Sequence, residues 1–211
     1  MEKKRRSKQD VPLAQDTAGR IVTEATRLFA LKGYDGVSIK EISETAGVNI
    51  AAVNYHFESK EKLFRRIIEQ FISDLLVSAR KTLLPPQSPE ALKVRLEIFI
   101  RQTIEAMMSQ PDVIYIIQRE MERSDHVLQQ TVLKHREALI EFLNQAKKNK
   151  LLAGDVDPSF AAESLSAQIS YARKRPRMGK DLFGTSSADE KYREQWIQQT
   201  LRVFLGGVMA P

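Results

Sequence analysis

A short run of small and hydrogen-bonding residues between positions 49 and 60 has side chains suited to close contact with polar edges and anions. Ala51 and Ala52 would let a helix backbone approach a partner closely. Asn54 can pair with the edge of an adenine base, and Tyr55 and His56 can donate hydrogen bonds to phosphate oxygens. Together these residue types predict a helix that contacts the bases and phosphates of DNA. The full set of predicted DNA-contact residues is Ser38, Asn49, Ile50, Ala51, Ala52, Asn54, Tyr55, His56 and Lys60.

Two members of this set have a simpler interpretation. Asn54 can be a solvent-facing residue without a DNA contact, and His56 can be structural. By contrast, Ile42, Val48, Val53 and Phe57 have the spacing of residues buried between helices. The pattern favours a DNA role for Asn54 and His56 but leaves these alternatives open.

Three helices are predicted to position the cluster. Apolar residues on one face indicate a helix over 17–32, which Gly33 can end in the left-handed conformation. Ser38 and Glu41 form a capping box for a short second helix, which breaks at Gly47. The third helix spans about 50–56. Two helices joined by a tight glycine turn are typical of a helix-turn-helix, whose last helix enters the major groove.

The rest of the sequence is also predicted to be helical. Ser59 begins a long helix that ends near Leu83, before the prolines at 85 and 86. Prolines at 89, 111 and 158 stand where first turns of further helices are expected. The pattern contains no convincing strand or repeat. We therefore expect an all-α fold of about nine helices.

Composition narrows the class of protein. The 211 residues carry a net charge of +6, and residues 1–66 hold 13 basic against 9 acidic residues. This is compatible with a polyanionic partner, although a solvated surface would look the same. The absence of cysteine excludes disulfides, zinc fingers and thiol catalysis. With no apolar run long enough for a membrane span and no signal pattern, we expect a cytoplasmic protein without membrane contact.

The sequence contains no pattern for catalysis or for a bound metal. It has no glycine-rich phosphate loop and no nucleophile signature. His126 and His135 are nine residues apart, which places them on opposite faces of a helix, so they cannot hold one metal together. We predict no enzyme activity, no cofactor and no metal.

The segment 18–66 resembles the DNA-binding segment of the TetR family of bacterial transcriptional regulators. The matching motifs are "LKGY" at 31–34, "SIKEISETAGV" at 38–48 and "YHFxSKExL" at 55–63. The resemblance implies phosphate contacts for Ser38, Tyr55, His56 and Lys60, and contacts with bases or backbone for residues 49–52. Relatives often carry Ser or Thr at the position of Ala52 and Tyr at the position of Asn54, so the chain departs from the family pattern at both.

The resemblance also implies a helical C-terminal region for ligand binding and dimerisation. We therefore predict a basic arm (1–16), a helix-turn-helix domain (17–66) and an effector domain (67–211). The expected partners are a pseudo-palindromic DNA operator, a second copy of the chain and an unknown small-molecule effector. Predicted pocket residues are Phe71, Phe99, Met107, Tyr115, Arg119, Glu120 and Met121, and predicted dimer contacts are Ala161, Leu165, Ala172, Trp196, Leu201 and Phe204.

Several alternatives stay open. Arg119 and Glu120 can be an exposed or mutually paired couple. The basic residues 173–180 can form a solvated loop between dimer-forming helices, or contact DNA or an acidic partner. The function predicted is a homodimeric repressor released from DNA by its effector. One alternative is a sequence-tolerant or ligand-independent DNA binder in chromosome organisation or cell division. The other is an enzyme or carrier that has lost DNA binding.

Overall fold

The computed structural model describes residues 13–121, 126–174 and 189–209. These residues form nine helices, which confirms the all-α prediction for the described part of the chain. The helices are α1 (Leu13–Lys32), α2 (Ile39–Ala46), α3 (Ile50–Phe57), α4 (Lys60–Thr82), α5 (Pro89–Ser109), α6 (Pro111–Met121), α7 (His126–Lys148), α8 (Pro158–Lys174) and α9 (Glu190–Val208). None of these described helices is long and apolar enough to cross a membrane.

Side-chain caps define where several helices begin. The hydroxyl groups of Ser38, Ser59 and Ser88 accept hydrogen bonds from backbone N–H groups three residues later, at the starts of α2, α4 and α5. Each bond satisfies an N–H group that has no partner within its helix. Helix α1 begins at Leu13, so its first turn lies in the segment predicted as a basic arm. Residues 1–12 of that arm lie outside the described residues.

One continuous apolar core joins the N-terminal part of the chain, helices α1 to α3, to the C-terminal part, helices α5 to α9. In the N-terminal part, Ile21, Phe29, Ile42 and Val53 are buried between α1, α2 and α3. Helix α4 continues from this bundle and packs against α5 and α7 in the C-terminal part. Because α4 belongs to both parts, a movement of this helix can change the position of α3.

An ion pair joins α5 to α9. Two guanidinium nitrogens of Arg101 contact the two carboxylate oxygens of Glu194 at 2.6 and 3.0 Å. The hydrogen bonds from Arg101 lower the pKa of Glu194 to about 2, and a hydrogen bond from Gln198 acts in the same direction. Both partners are partly exposed, so the pair holds the two helices together by a modest amount.

Candidate DNA interface and effector cavity

The turn between α2 and α3 is a Schellman motif. Gly47 has φ +64° and ψ +39°, the left-handed conformation that glycine adopts without a steric penalty. Its N–H donates to the carbonyl of Glu44 at 3.2 Å, and the N–H of Val48 donates to the carbonyl of Ser43 at 2.9 Å. These bonds fix the angle at which α3 leaves α2.

Both helices of this motif begin at capped N-termini that face solvent. Ser38 Oγ accepts from the N–H of Glu41 at 3.1 Å, which is the first bond of the predicted capping box. A hydrogen bond from Lys32 lowers the pKa of Glu41. Asn49 Oδ1 accepts from the N–H of Ala52 at 2.7 Å. The serine hydroxyl still has its proton to donate, and the Asn49 amide still has its N–H₂ group.

Helix α3 presents most of its surface to solvent. A helix turns by about 100° per residue, so its eight residues form four rows of positions i and i+4. Only the Val53–Phe57 row is buried. The Ala51–Tyr55 row points outward, and the Ile50–Asn54 and Ala52–His56 rows lie on either side of it. All seven predicted contact residues between positions 49 and 56 are therefore exposed or partly exposed.

Tyr55 is the most exposed aromatic residue of this surface. It has 84% of its area accessible, and its ring meets the ring of His56 edge to face at 5.2 Å. Ile50 is 44% exposed at the other end of the helix. A large exposed aromatic residue beside a partly exposed histidine is suited to donate hydrogen bonds to an anionic backbone.

Lys60 has a structural contact that the sequence pattern did not indicate. Its ammonium donates to the carbonyls of Tyr34 and Val37, each at 3.0 Å, and lies 4.2 Å from the centre of the Tyr34 ring. Tyr34 in turn packs against Phe29 and Phe64. Lys60 therefore ties the α1–α2 connection to the start of α4. That Lys60 also contacts a phosphate stays a prediction. One of its three ammonium N–H groups remains available for such a contact.

The connection from α3 to α4 is a tight γ-turn. Glu58 has φ +62° and ψ −45°, and the N–H of Ser59 donates to the carbonyl of Phe57 at 2.6 Å. This form of the γ-turn is rare and strained for a residue with a Cβ atom. The strain lies at the joint between the exposed helix and α4, and no glycine in the sequence signals it.

A cavity of about 620 Å³ opens between the helices α4 to α8. Its volume is within the range of ~300–1,000 Å³ found for small-molecule sites. The apolar lining residues include Phe71 and Leu75 on α4, Phe99 and Met107 on α5, and Ile114 on α6. That Phe71, Phe99 and Met107 contact an effector stays a prediction.

Three other predicted pocket residues lie elsewhere, which corrects the predicted lining. Tyr115 is 50% exposed on the outer face of α6. Arg119 lies over the end of α1, where a Cβ atom added to Gly33 would be 2.8 Å from the guanidinium carbon. Glu120 is buried but is not on the cavity wall. Helical periodicity explains these positions, because the face of α6 that carries residues 114, 117 and 118 lines the cavity and residues 115, 119 and 120 lie on its other faces. The side chain of Met121 lies outside the described residues.

The sequence interpretation missed His135, whose ring lines the cavity and stacks on Phe99 with centroids 5.5 Å apart. Burial is the main cause that lowers the pKa of His135 to about 4, and the nearby Arg136 charge adds to it. The sequence does indicate that His135 faces inward, because residues 135, 139, 142 and 146 share one helix face and the last three of them are apolar.

The predicted dimer contacts also need correction. Ala161, Leu165, Leu201 and Phe204 are buried inside the protomer, because these sides of α8 and α9 pack against its own core. The sides that remain exposed carry Phe160, at 80%, and Val203, at 65%. A shallow groove beside Val203 is lined in part by Trp196, Ala167 and Gln199. Ala172 lies outside the residues whose side chains are described.

Comparisons with known proteins agree with this arrangement. The family model for bacterial regulatory proteins of the tetR family matches residues 21–67. The chain is 25% identical over 199 residues to the HTH-type transcriptional regulator UidR of Escherichia coli (strain K12), with 93% of this chain and 94% of UidR covered. It is also 25% identical over 212 residues to the HTH-type transcriptional repressor KstR2 of Rhodococcus jostii (strain RHA1), with 95% and 98% covered.

The fold agrees as well. The structure of the ketosteroid transcriptional regulator KstR2 of Mycobacterium tuberculosis superposes with a TM-score of 0.69 at 20% identity, over 92% of this chain and 95% of that one. Residues 21–67 therefore match the tetR family of bacterial regulatory proteins, and over more than nine tenths of its length the chain is similar to transcriptional regulators. This similarity supports a DNA-binding transcriptional regulator, and the matched segment contains the whole α2–α3 motif.

Proposed function

We propose that the chain is a homodimeric repressor that binds a pseudo-palindromic operator through α3 and leaves it when a small molecule occupies the cavity. The observation that carries the proposal is the exposure of three of the four rows of α3. Such exposure leaves a helix of eight residues, ~12 Å long, free to enter a major groove ~12 Å wide.

The rows of α3 suggest how the contacts divide. Ala51 is the small residue at the N-terminal end of the outermost row, so this end of the helix can approach the base edges closely. Asn54 is proposed to read one base, while Tyr55 and His56 contact phosphates. Ser38 and the N–H groups at the start of α2 add a second phosphate contact, since a helix N-terminus favours an anion.

A homodimer is proposed because the resemblance to the TetR family implies that the C-terminal helices dimerise. The exposed sides of α8 and α9, with Phe160, Trp196 and Val203, are the proposed contact surface. Two-fold symmetry would place the two α3 helices on half-sites ~34–36 Å apart, or a multiple of that distance.

Two helices connect the cavity to the DNA-binding part. Helix α4 lines the cavity with Phe71 and Leu75 and starts at Lys60, directly after α3. Helix α6 lines it with Ile114, and Arg119 of the same helix contacts the end of α1. A ligand that favours one arrangement of these helices would change DNA affinity by its difference in binding energy, ~1–3 kcal/mol in typical cases.

The proposed domain boundary near residue 66 lies inside α4, so the domains 17–66 and 67–211 share this helix. The arrangement supports direct coupling, because a shift of the ligand-binding end of α4 moves its other end. A site of action in the bacterial cytoplasm is proposed with this function, since the operator is located there.

The proposal is tested by adding a negative charge to the outer row of α3. Ala51→Glu is expected to abolish binding to a DNA fragment from upstream of the gene, because a carboxylate would then lie in the negatively charged major groove. Val94→Glu adds the same charge at an exposed position of α5 and should leave affinity unchanged. Fluorescence anisotropy at one salt concentration measures both variants. Equal affinity of Ala51→Glu and the parent protein would refute the assignment of α3.

A further inference from the structure

One polar atom in the cavity has no hydrogen-bond partner. The Nε2 atom of His135 is buried and unpaired among the described residues. Most buried polar side-chain atoms in proteins are paired, and an unpaired one costs about 1–3 kcal/mol. Because the imidazole ring lines the cavity, a molecule inside the cavity can supply the missing partner.

The charged groups of the cavity wall and the Thr103 hydroxyl already have partners. The Thr103 hydroxyl donates to the carbonyl of Phe99 at 2.8 Å. Arg136 and Glu163 form an ion pair at 2.7 Å, in which both side chains are partly exposed. Gln118 and the α8 serines 166 and 170 add uncharged polar groups to a wall that is otherwise mainly apolar. No described lining residue therefore offers an unpaired charge to a ligand.

We propose that the cavity selects a mainly apolar, uncharged molecule with a hydroxyl group, and that this hydroxyl hydrogen-bonds to His135 Nε2. The proposal rests on the proposed ligand-responsive function and names the chemical class of the effector. The hydroxyl meets the unpaired nitrogen, and the apolar remainder contacts Phe71, Phe99 and Met107.

A hydroxyl fits this nitrogen better than a charged group does. The imidazole is neutral at pH 7, since burial lowers the pKa of His135 to about 4. Neutral imidazole donates at one nitrogen and accepts at the other. A hydroxyl can do both, so it matches either tautomer. A carboxylate or ammonium would lose its hydration without gaining an opposite charge.

The test compares three probes that differ only in their polar group. 1-Octanol, octanoate and octylamine compete at pH 7 with the neutral dye Nile red bound to the full-length protein. We expect 1-octanol to displace the dye at a concentration at least ~3–10-fold lower than the two ions, as one hydrogen bond of ordinary strength predicts. Octanoate or octylamine binding as tightly as 1-octanol, or no displacement by any probe, would overturn the proposal.

Variants assign the preference to one atom. His135→Phe keeps an aromatic ring against Phe99 and should remove the preference for 1-octanol, whereas His135→Gln keeps a hydrogen-bonding group and should retain part of it. Leu133→Ala is the control, because Leu133 is exposed on the same helix and does not line the cavity, and this variant should behave as the parent protein does. An unchanged preference in His135→Phe overturns the assignment, and melting curves confirm that each variant is folded.

A parallel DNA-binding measurement separates the two proposals. Selective binding of 1-octanol without any effect on DNA affinity would contradict the ligand-responsive repressor but support the ligand class. Release of DNA by octanoate rather than by 1-octanol would contradict the ligand class alone.

Discussion

Lys60 offers a sharp test of how the DNA-binding part is held together. Its ammonium makes two hydrogen bonds of 3.0 Å to the carbonyls of Tyr34 and Val37 and contacts the face of the Tyr34 ring. Hydrogen bonds of a charged group contribute about 1.5–3 kcal/mol each, and an exposed cation–π contact about 0.5–1 kcal/mol. Because Lys60 is only partly buried, we expect Lys60→Met to reduce the free energy of unfolding by about 2–4 kcal/mol.

The matched control is Lys62→Met, two residues further along α4. Lys62 is exposed and pairs with Glu58, a contact worth about 0.3–0.5 kcal/mol. Urea unfolding at a fixed protein concentration compares both variants with the parent. If Lys60→Met is no less stable than Lys62→Met, the two carbonyl contacts do not hold the α1–α2 connection, and the structural explanation of Lys60 is refuted.

The same variant tests the proposed phosphate contact. A lysine that neutralises one phosphate changes the slope of log affinity against log salt by ~0.9. We expect Lys60→Met to reduce the slope by this amount per subunit. An unchanged slope together with reduced stability would show that Lys60 positions α4 and does not contact DNA.

Four further outcomes are expected. Glu58→Gly should be more stable than Glu58→Ala by about 1 kcal/mol in urea unfolding, because glycine relieves the positive φ of the γ-turn; equal stability would argue against strain. Asn54→Ala should change the base preference at one operator position, whereas Tyr55→Phe should weaken binding to all DNA sequences alike. Selection from a random DNA pool measures both effects, and an unchanged preference profile for Asn54→Ala would refute base reading by this residue. Because the folded-state pKa of Glu194 is lowered to about 2, its small stabilising contribution is full above the unfolded pKa of ~4.5 and is lost as pH falls towards 2; acid unfolding of Glu194→Gln should lack this loss. Val203→Glu should be monomeric in analytical ultracentrifugation, and a variant that stays dimeric would show that the dimer interface does not include Val203.

Much of the DNA-binding part could be predicted because local signals determine it. The Ser38 cap, the glycine turn at Gly47 and the Asn49 cap depend on residues a few positions apart, and the structure contains all three. The buried row of α3 followed from the spacing of Val53 and Phe57. Local hydrogen bonds and helical periodicity are sufficient for these features.

Features that depend on distant residues could not be predicted in the same way. Lys60 contacts carbonyls more than twenty positions earlier in the chain. His135 was visible as part of an inward face, but periodicity does not distinguish a packed position from a cavity wall. On α8 and α9 the sequence pattern indicates apolar faces, but it does not indicate which of them packs inside the protomer. Leu165 and Phe204 are therefore predicted as dimer contacts, whereas in the structure they are buried and Phe160 and Val203 are exposed. The γ-turn at Glu58 has no residue signal.

The most direct test of the central claim is the ratio of specific to nonspecific DNA affinity at one fixed salt concentration. A site selected from a random pool and a scrambled duplex of the same length are compared by anisotropy with the full-length protein. A sequence-reading α3 predicts a selected site with two inverted half-sites and a ratio of at least ~10³. A ratio near one would contradict operator recognition and support a sequence-tolerant DNA-binding protein of the same fold.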